Sequence, residues 1–445
     1  MFNYPKDLYT DVRIEEVYET KIVYELGEIQ ELKTRSHEGG FIRIYDGRRW
    51  YYSATTDLIN LQKEIDKLSA YATQNINITE DPTVAGFEVH KGDFSQYQEK
   101  DVAKIPTEKK QEFLRGYFPM LNDNQTITYW KALYNDKRVV KKFYSSKGAE
   151  IIYDTQVAGF GLDMNFVKGE ERLKETFQKA SHSFEDLLDQ EKNCGEFIAK
   201  CEEFVKNAKP VKPGKYPVVF APVVAGVFAH ESFGHKSESD FMIGDETMKK
   251  EWAIGKKVGA DILSIIDDGE MREGGYTPFD DEGTKAKKTE IIKDGILKGR
   301  LHSSGTAASL MEGLTGNARA TTFEFEPIVR MTNTYIEKGS MSKEDLIREI
   351  EEGIYVDNFN HGSGMSTFTI APSLAYYIRD GKIAEPVSVS VVTGNVMKTL
   401  ELIDGVSDEI GFSSFITGGC GKMEQFPLAV GFGGPYVRVK ELEVH

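Results

Sequence analysis

The sequence predicts an α+β protein: small strand-and-helix N-terminal units, then a larger, mainly antiparallel β C-terminal domain with inserted helices. Three observations carry this. After residue 210, short apolar or alternating segments recur between turn signals such as Asp294-Gly295 and Asp380-Gly381, a density that points to an antiparallel sheet, sandwich or barrel. Before residue 210, strand-like segments alternate with segments of helical periodicity. Between them stands Pro210-Val211-Lys212-Pro213-Gly214, the strongest break in the chain. The expected division is 1–100, 101–210 and 211–445, in keeping with the two or three domains that 445 residues suggest.

Taken in order, residues 11–19 and 21–26 read as strands about a turn. Residues 40–45 alternate, Asp46-Gly47 signals a hairpin, and 48–53 returns. Residues 57–71 have helical periodicity, with Leu58, Leu61, Ile65 and Leu68 on one side. A polar, irregular connection follows over 73–106. In the second unit 107–120 reads as a helix. Residues 126–134, 138–145 and 150–162 read as strands, with turns at Asn135-Asp136 and Lys147-Gly148, and 170–206 as helices. Beyond the break 216–221 is a strand, and Pro222 suits the first position of a helix after it. Strands are then expected at 260–266, 288–293, 296–301, 328–335, 367–370, 375–378, 387–392 and 436–442. Residues 342–352 form an amphipathic helix, with Ser342 as its cap and Asp345 in its first turn.

Composition narrows the function. Lys and Arg total 55 against 71 Asp and Glu, a net charge of -16. That disfavours direct nucleic-acid binding, which needs a basic footprint, and it disfavours an anionic membrane surface. The first residues lack a basic-then-apolar signal pattern. The longest apolar run, 218–229, is interrupted by Pro222 and Gly226 and is too short to span a bilayer. Three cysteines without framework spacing point to a reducing compartment, so a cytoplasmic location is expected.

The chemistry concentrates in His230-Glu231-Ser232-Phe233-Gly234-His235, directly after that apolar run. Two imidazoles that can bind a metal, with a carboxylate able to take a proton from the attacking water, are the residue set of a hydrolytic zinc site. With eight histidines in 445 residues such a segment arises by chance only ~0.01 times per chain. The spacing is unusual. Histidines at i and i+4 lie about 40° apart around a helix, whereas i and i+5 lie about 140° apart. Both rings can meet one metal only if the backbone is overwound, bulged or ended between them, and Gly234 is the residue expected to permit this. On spacing alone, a helix with one exposed and one partly buried His fits as well.

A third ligand is needed. Cys194 and Cys201 lie seven apart in a predicted helix and read as core packing. Cys420 sits in Thr417-Gly418-Gly419-Cys420-Gly421-Lys422, where glycines allow close approach to a ligand and a nearby cation or metal favours thiolate. A buried turn Cys is the plainer reading. Asp280, Asp281 and Glu282 form an acidic cluster suited to a hard cation, a peptide amine or simply a solvated turn. Arg319 and Arg330 could fork onto a peptide carboxylate or a main-chain carbonyl, or pair with acids. His302 and His361 read as ordinary surface or core residues. The glycines of 431–434 carry no phosphate-loop Lys or following helix start.

Together these motifs resemble the TldD/PmbA family, in its TldD-like metallopeptidase branch, nearly end to end. The residues that carry the resemblance are Phe228-Ala229-His230-Glu231-Ser232-Phe233-Gly234-His235, Asp280-Asp281-Glu282-Gly283-Thr284, Thr315-Gly316-Asn317-Ala318-Arg319 and Arg330-Met331-Thr332-Asn333-Thr334. Gly419-Cys420-Gly421-Lys422 and Val430-Gly431-Phe432-Gly433-Gly434-Pro435 complete the set. The PmbA branch, also called TldE, lacks the His-Glu-x-x-x-His segment that this chain keeps. The chain departs from the family at Glu424-Gln425, where Gly-Gln is frequent, and over 362–368.

The resemblance implies one Zn2+ per chain on His230, His235 and Cys420, with Glu231 as catalytic base. It implies proteolysis of small or unfolded polypeptides, maturation of modified peptides, and a homodimer or a heterodimer with a PmbA/TldE-like chain. The competing expectation is a non-catalytic regulatory binding protein of the DNA gyrase modulator type, with structural metal or none. A purely structural zinc would have no use for Glu231.

Overall fold

A computed structural model describes residues 2–364 and 366–445; Met1 and Met365, the latter inside the divergent segment 362–368, lie outside them. The architecture is α+β, as the sequence predicts. Two sheets dominate. The first has seven strands, ordered Trp50–Thr55, Glu28–Tyr45, Tyr9–Glu25, Ile127–Ser145 and Glu150–Lys168, with Lys91–Asp93 and Glu171–Ser181 both pairing to the last. Segments 1–100 and 101–210 thus contribute strands to one sheet, joined where Tyr9–Glu25 runs antiparallel to Ile127–Ser145. Its helix-covered face buries Trp130, Tyr134, Phe160, Leu162 and Met164 against the helix Glu191–Asn207, which supplies Cys194, Ile198 and Cys201.

The strands are longer than expected, for physical reasons. Residues 11–19 and 21–26 are one strand, Tyr9–Glu25. It is paired on both sides, and Thr20, the supposed turn, is buried with its N–H donating to Asp136 Oδ1 at 3.1 Å. The turn expected at Asn135-Asp136 is likewise strand interior. Asp136 is not a turn former here. It is a buried acceptor, 2.6 Å from Lys110 Nζ and 2.7 Å from Tyr134 Oη. The helices expected over 170–206 begin only at Glu191, because Glu171–Ser181 folds back as a strand on Glu150–Lys168 after a turn at Gly169, whose φ is 63°.

The second sheet has twelve strands. Gly214–Phe220 lies at its centre, parallel to Glu352–Ser363 and antiparallel to Gly431–Val444. Thr367–Arg379 pairs with Glu352–Ser363, and Val392–Asn395 bridges Thr367–Arg379 back to Gly431–Val444, which closes the ring into a barrel. The strand Ile403–Ser414, which the sequence did not predict, pairs along Gly431–Val444. Ser342 caps its helix, accepting from Asp345 N–H at 3.1 Å, but the helix is only Lys343–Arg348, since residue 352 starts the next strand.

The core helix Pro222–Ala229 follows Gly214–Phe220 with Pro222 in its first turn. Val224, Ala225, Val227, Phe228 and Ala229 are buried in the barrel, and Phe228 packs on Phe220, Phe233 and Phe368 at 4.8–5.6 Å between ring centres. Gly226 lets this helix touch the Gly431–Val444 strand: a Cβ there would lie 2.2 Å from the Gly433 nitrogen. Burial of this helix on every side fixes the segment that comes next.

Candidate metal centre

At Ala229 the α-helix ends and one π-helical turn, His230–Gly234, takes over. The His235 N–H donates to the His230 carbonyl, an i to i+5 bond. That wider turn is what histidines five apart require: it brings back onto one side two rings that an α-helix would splay by about 140°. The rings lie 4.9 Å apart between centres, at 81° to one another. Gly234 has ordinary helical angles, φ −55° and ψ −58°, so backbone freedom is not its use. It makes room instead, since a Cβ there would lie 1.9 Å from Met331 Sδ.

Cys420 arrives on the two-stranded hairpin Cys420–Lys422 and Gln425–Leu428. Its Sγ is 3.7 Å from His235 Nε2. One ligand atom from each of His230, His235 and Cys420 falls within 4.8 Å of the others. In a tetrahedral zinc site with Zn–N and Zn–S bonds of normal length, ligand atoms are roughly 3.3–3.6 Å apart, so the 3.7 Å pair already has the spacing. His230 Nδ1 is buried without a hydrogen-bond partner. Two imidazoles and a thiol, closely set and largely dry, fit a borderline-soft divalent ion.

The electrostatics favour the ligand form of the thiol. Burial works against a Cys420 thiolate, but the charge of His230 and hydrogen bonding to both imidazoles outweigh it and bring the thiol down to about 5. Burial likewise works against an His235 imidazolium, and contacts with Cys420 and Glu238 outweigh it, lifting the ring to about 10. A metal arriving here displaces the His235 proton. Glu231 is held above the ordinary carboxylate range, first by burial, against the pull of His230 and His235. A raised carboxylate suits proton transfer near neutral pH.

The surrounding shell was not legible beforehand. His235 Nδ1 lies 3.0 Å from Oε2 of Glu238, a fully buried residue that fixes the ring's orientation and tautomer. Lys422, the cation two residues past Cys420, is 3.2 Å from the same oxygen and donates to both Asp240 oxygens at 2.7 Å. Its role is to balance buried acids. Glu238 stands three residues after His235, and that spacing within a helical turn is the one signal that could have found it. Phe432 packs on His230 at 4.9 Å between ring centres. Gly362 and Gly364 of the divergent segment lie over Glu231: a Cβ on Gly364 would be 3.0 Å from the Glu231 carbonyl oxygen.

The other expected site residues have structural work. Arg330 is fully buried and donates to the Cys420 carbonyl at 2.7 Å and the Gln425 carbonyl at 3.3 Å, so it anchors the Cys hairpin. Arg319 donates to the carbonyls of Met331 and Ala429, the latter at 3.0 Å. Both forks meet main-chain carbonyls of this chain. Asp280, Asp281 and Glu282 are buried, not a solvated turn, and Asp281 and Glu282 face cations of the first sheet. Asp281 Oδ1 is 2.5 Å from Lys141 Nζ and 3.6 Å from Arg13, and Glu282 Oε1 accepts from Arg43 at 2.9 Å. Asp280 accepts the N–H groups of Glu282, Thr284 and Ala318 at 2.9–3.0 Å. His302 is buried between Glu312 and Thr306, and His361 is exposed on its strand. Cys194 and Cys201 are buried in the first core, as expected.

Residues 213–445 match the PmbA/TldA metallopeptidase C-terminal domain, and residues 10–72 match domain 1 of the same family. A metalloprotease of Synechocystis sp. is 32% identical, over 98% of this chain and 94% of its own length. A zinc metalloprotease TldD homolog of Saccharolobus solfataricus is 29% identical over 98% of this chain and 96% of its own. Among solved structures, a Thermotoga maritima protein described as a candidate DNA gyrase modulator superposes with a TM-score of 0.79, at 18% identity over 98% of this chain and 96% of its own. TldE of Thermococcus kodakarensis superposes with a TM-score of 0.74, at 18% identity over 98% and 96%. At that identity the likeness is one of fold. Among the described residues no helix is long and apolar enough to cross a membrane.

Proposed function

The chain belongs to the PmbA/TldD metallopeptidase family, and on that premise we propose that it is a zinc-dependent peptidase for small, unfolded or modified polypeptides. The observation that carries the reading is the convergence of His230, His235 and Cys420, with Cys420 and His235 separated by 185 positions in sequence. His230, His235 and the Cys420 thiolate would hold the metal, and Glu238 would keep His235 in the orientation this needs. When bound, the zinc supplies a Lewis acid that polarises the scissile carbonyl and makes water acidic enough to attack near neutral pH. The thiolate's charge makes that Lewis acid weaker than one held by three neutral ligands.

Glu231 takes the proton from the attacking water and passes it to the leaving amine. Its burial beside His230 and His235 suits that role. Substrate choice is set in part by 362–364, which lies over Glu231. The working form is a homodimer or a heterodimer with a PmbA/TldE-like chain, in the cytoplasm.

Chelation tests the reading. The purified chain, with and without a PmbA/TldE-like chain, is expected to cleave an unfolded peptide. It should lose that activity to a chelator and recover it with zinc. Light scattering on the same samples should give twice the 50.1 kDa chain mass or a mixed dimer. Cleavage that survives complete metal removal contradicts the zinc mechanism, and full-rate cleavage by a monomer contradicts the assembly. A regulatory binding protein would show no cleavage under any of these conditions.

A further inference from the structure

The loop 415–419 leads from the strand Ile403–Ser414 into Cys420. It is seated on the first sheet and not only on the barrel that carries the histidines. Ile416 enters a pit in that sheet whose floor is Gly159: a Cβ built there would lie 1.7 Å from Ile416 Cγ2. Asn135 and Ala180 are the direct cross-strand neighbours of Gly159 and share its face. Asn135 Nδ2 donates to the Ile416 carbonyl at 3.5 Å. Gly161, two residues on and on the same face, is different, since its Cβ would stand 3.4 Å from Ile416 Cδ1 in ordinary contact.

Glycine sockets recur where the sheets meet. A Cβ on Gly39 would lie 2.3 Å from the Phe323 ring, and one on Gly283 would lie 2.5 Å from Phe143. The Ile416 socket alone among these lies next to a proposed ligand, four residues before the thiol. From the barrel side the hairpin is tied by Arg330 at the Cys420 carbonyl. Phe415, at the start of the loop, also packs on Phe432 of the barrel at 5.2 Å between ring centres, and the Ile416 contact holds the next residue from the first sheet.

We propose that Gly159 is a positioning residue for the metal centre: its bare backbone is the socket that fixes Ile416, and through it the loop that aims the Cys420 thiolate. This rests on Cys420 being a ligand. It makes the first sheet, which supplies no ligand, a determinant of metal affinity. Ligand atoms tolerate only a few tenths of an ångström of error at a metal, so a displaced loop is felt as weaker binding.

Cobalt(II) titration of the full chain tests this, because a cysteine ligand gives a thiolate-to-metal absorption band. Gly159→Ala and Ile416→Ala are each expected to weaken cobalt binding by about 10–100-fold, the size carried by groups that orient a ligand, and Gly161→Ala to change it by less than about twofold. The double variant Gly159→Ala/Ile416→Ala should bind cobalt no more weakly than Ile416→Ala alone, because both changes act through one contact and their losses do not add. The new methyl also crowds the Lys179 carbonyl, 2.9 Å away, so any loss in the double variant beyond that of Ile416→Ala measures that crowding and not the Ile416 contact. Ile416→Ala leaves the sheet unaltered, so the outcome does not hinge on how Gly159→Ala folds. Parent-like affinity in both single variants overturns the proposal, as does a double variant in which the two losses add in full. A parent that binds cobalt without the thiolate band refutes the ligand assignment itself, and the proposal falls with it.

Discussion

Glu231→Gln is expected to retain its metal, bind peptide and lose about 10²–10⁴ in turnover, the usual contribution of a general acid–base group. The substitution keeps shape and hydrogen-bonding capacity and removes only the proton acceptor. Glu231 is adjacent to His230 in sequence but is not among the three converging ligand groups. Its loss should therefore leave metal affinity close to the parent's. Peptide hydrolysis at the parent's rate by Glu231→Gln would exclude it as the base even if zinc is where we place it.

The second large effect is on stability. Asp281→Ala is expected to cost about 3 kcal/mol in urea unfolding, the low end for breaking a buried ion pair. Asp281 is 3% exposed and meets Lys141 and Arg13 from the other sheet, and its second oxygen accepts the Ala320 N–H at 2.7 Å. The cost stays at the low end because Glu15 still faces both cations, at 3.5 and 3.1 Å. Burial works against the Asp281 carboxylate, but Lys141 and Arg13 overcome it and hold its pKa below the ordinary value. A lowered folded pKa means stabilisation that is present above the unfolded value of ~3.9 and lost as pH falls through the folded one. The gap between parent and variant should therefore be full at neutral pH and close in acid below about pH 4. A gap that is under 1 kcal/mol at neutral pH, as expected of a solvated acid, would contradict the buried latch.

Both effects show what a sequence reveals and what it hides. His230, Glu231, His235 and Cys420 were legible because their chemistry is carried by residue type and local company. The bond that lets histidines five apart converge was not, because a π turn is decided by what the helix packs against. Gly234 was singled out for backbone freedom, whereas its use is to admit Met331, nearly a hundred residues on. Asp281 and Glu282 read as solvated because their partners Arg13, Arg43 and Lys141 lie far upstream, and only the fold brings them together. Glu171–Ser181 read as helix because it is a charged edge strand with few buried positions, and such strands show little alternation. Asn135-Asp136 carried a turn signal that the buried pairing of Asp136 with Lys110 overrode.

Elemental analysis of purified parent, His235→Ala and Cys420→Ser chains tests the central claim most directly. The account predicts about one zinc per parent chain and little or none in either variant, since a site with three protein ligands does not survive the loss of one. Zinc content unchanged in both variants would contradict it.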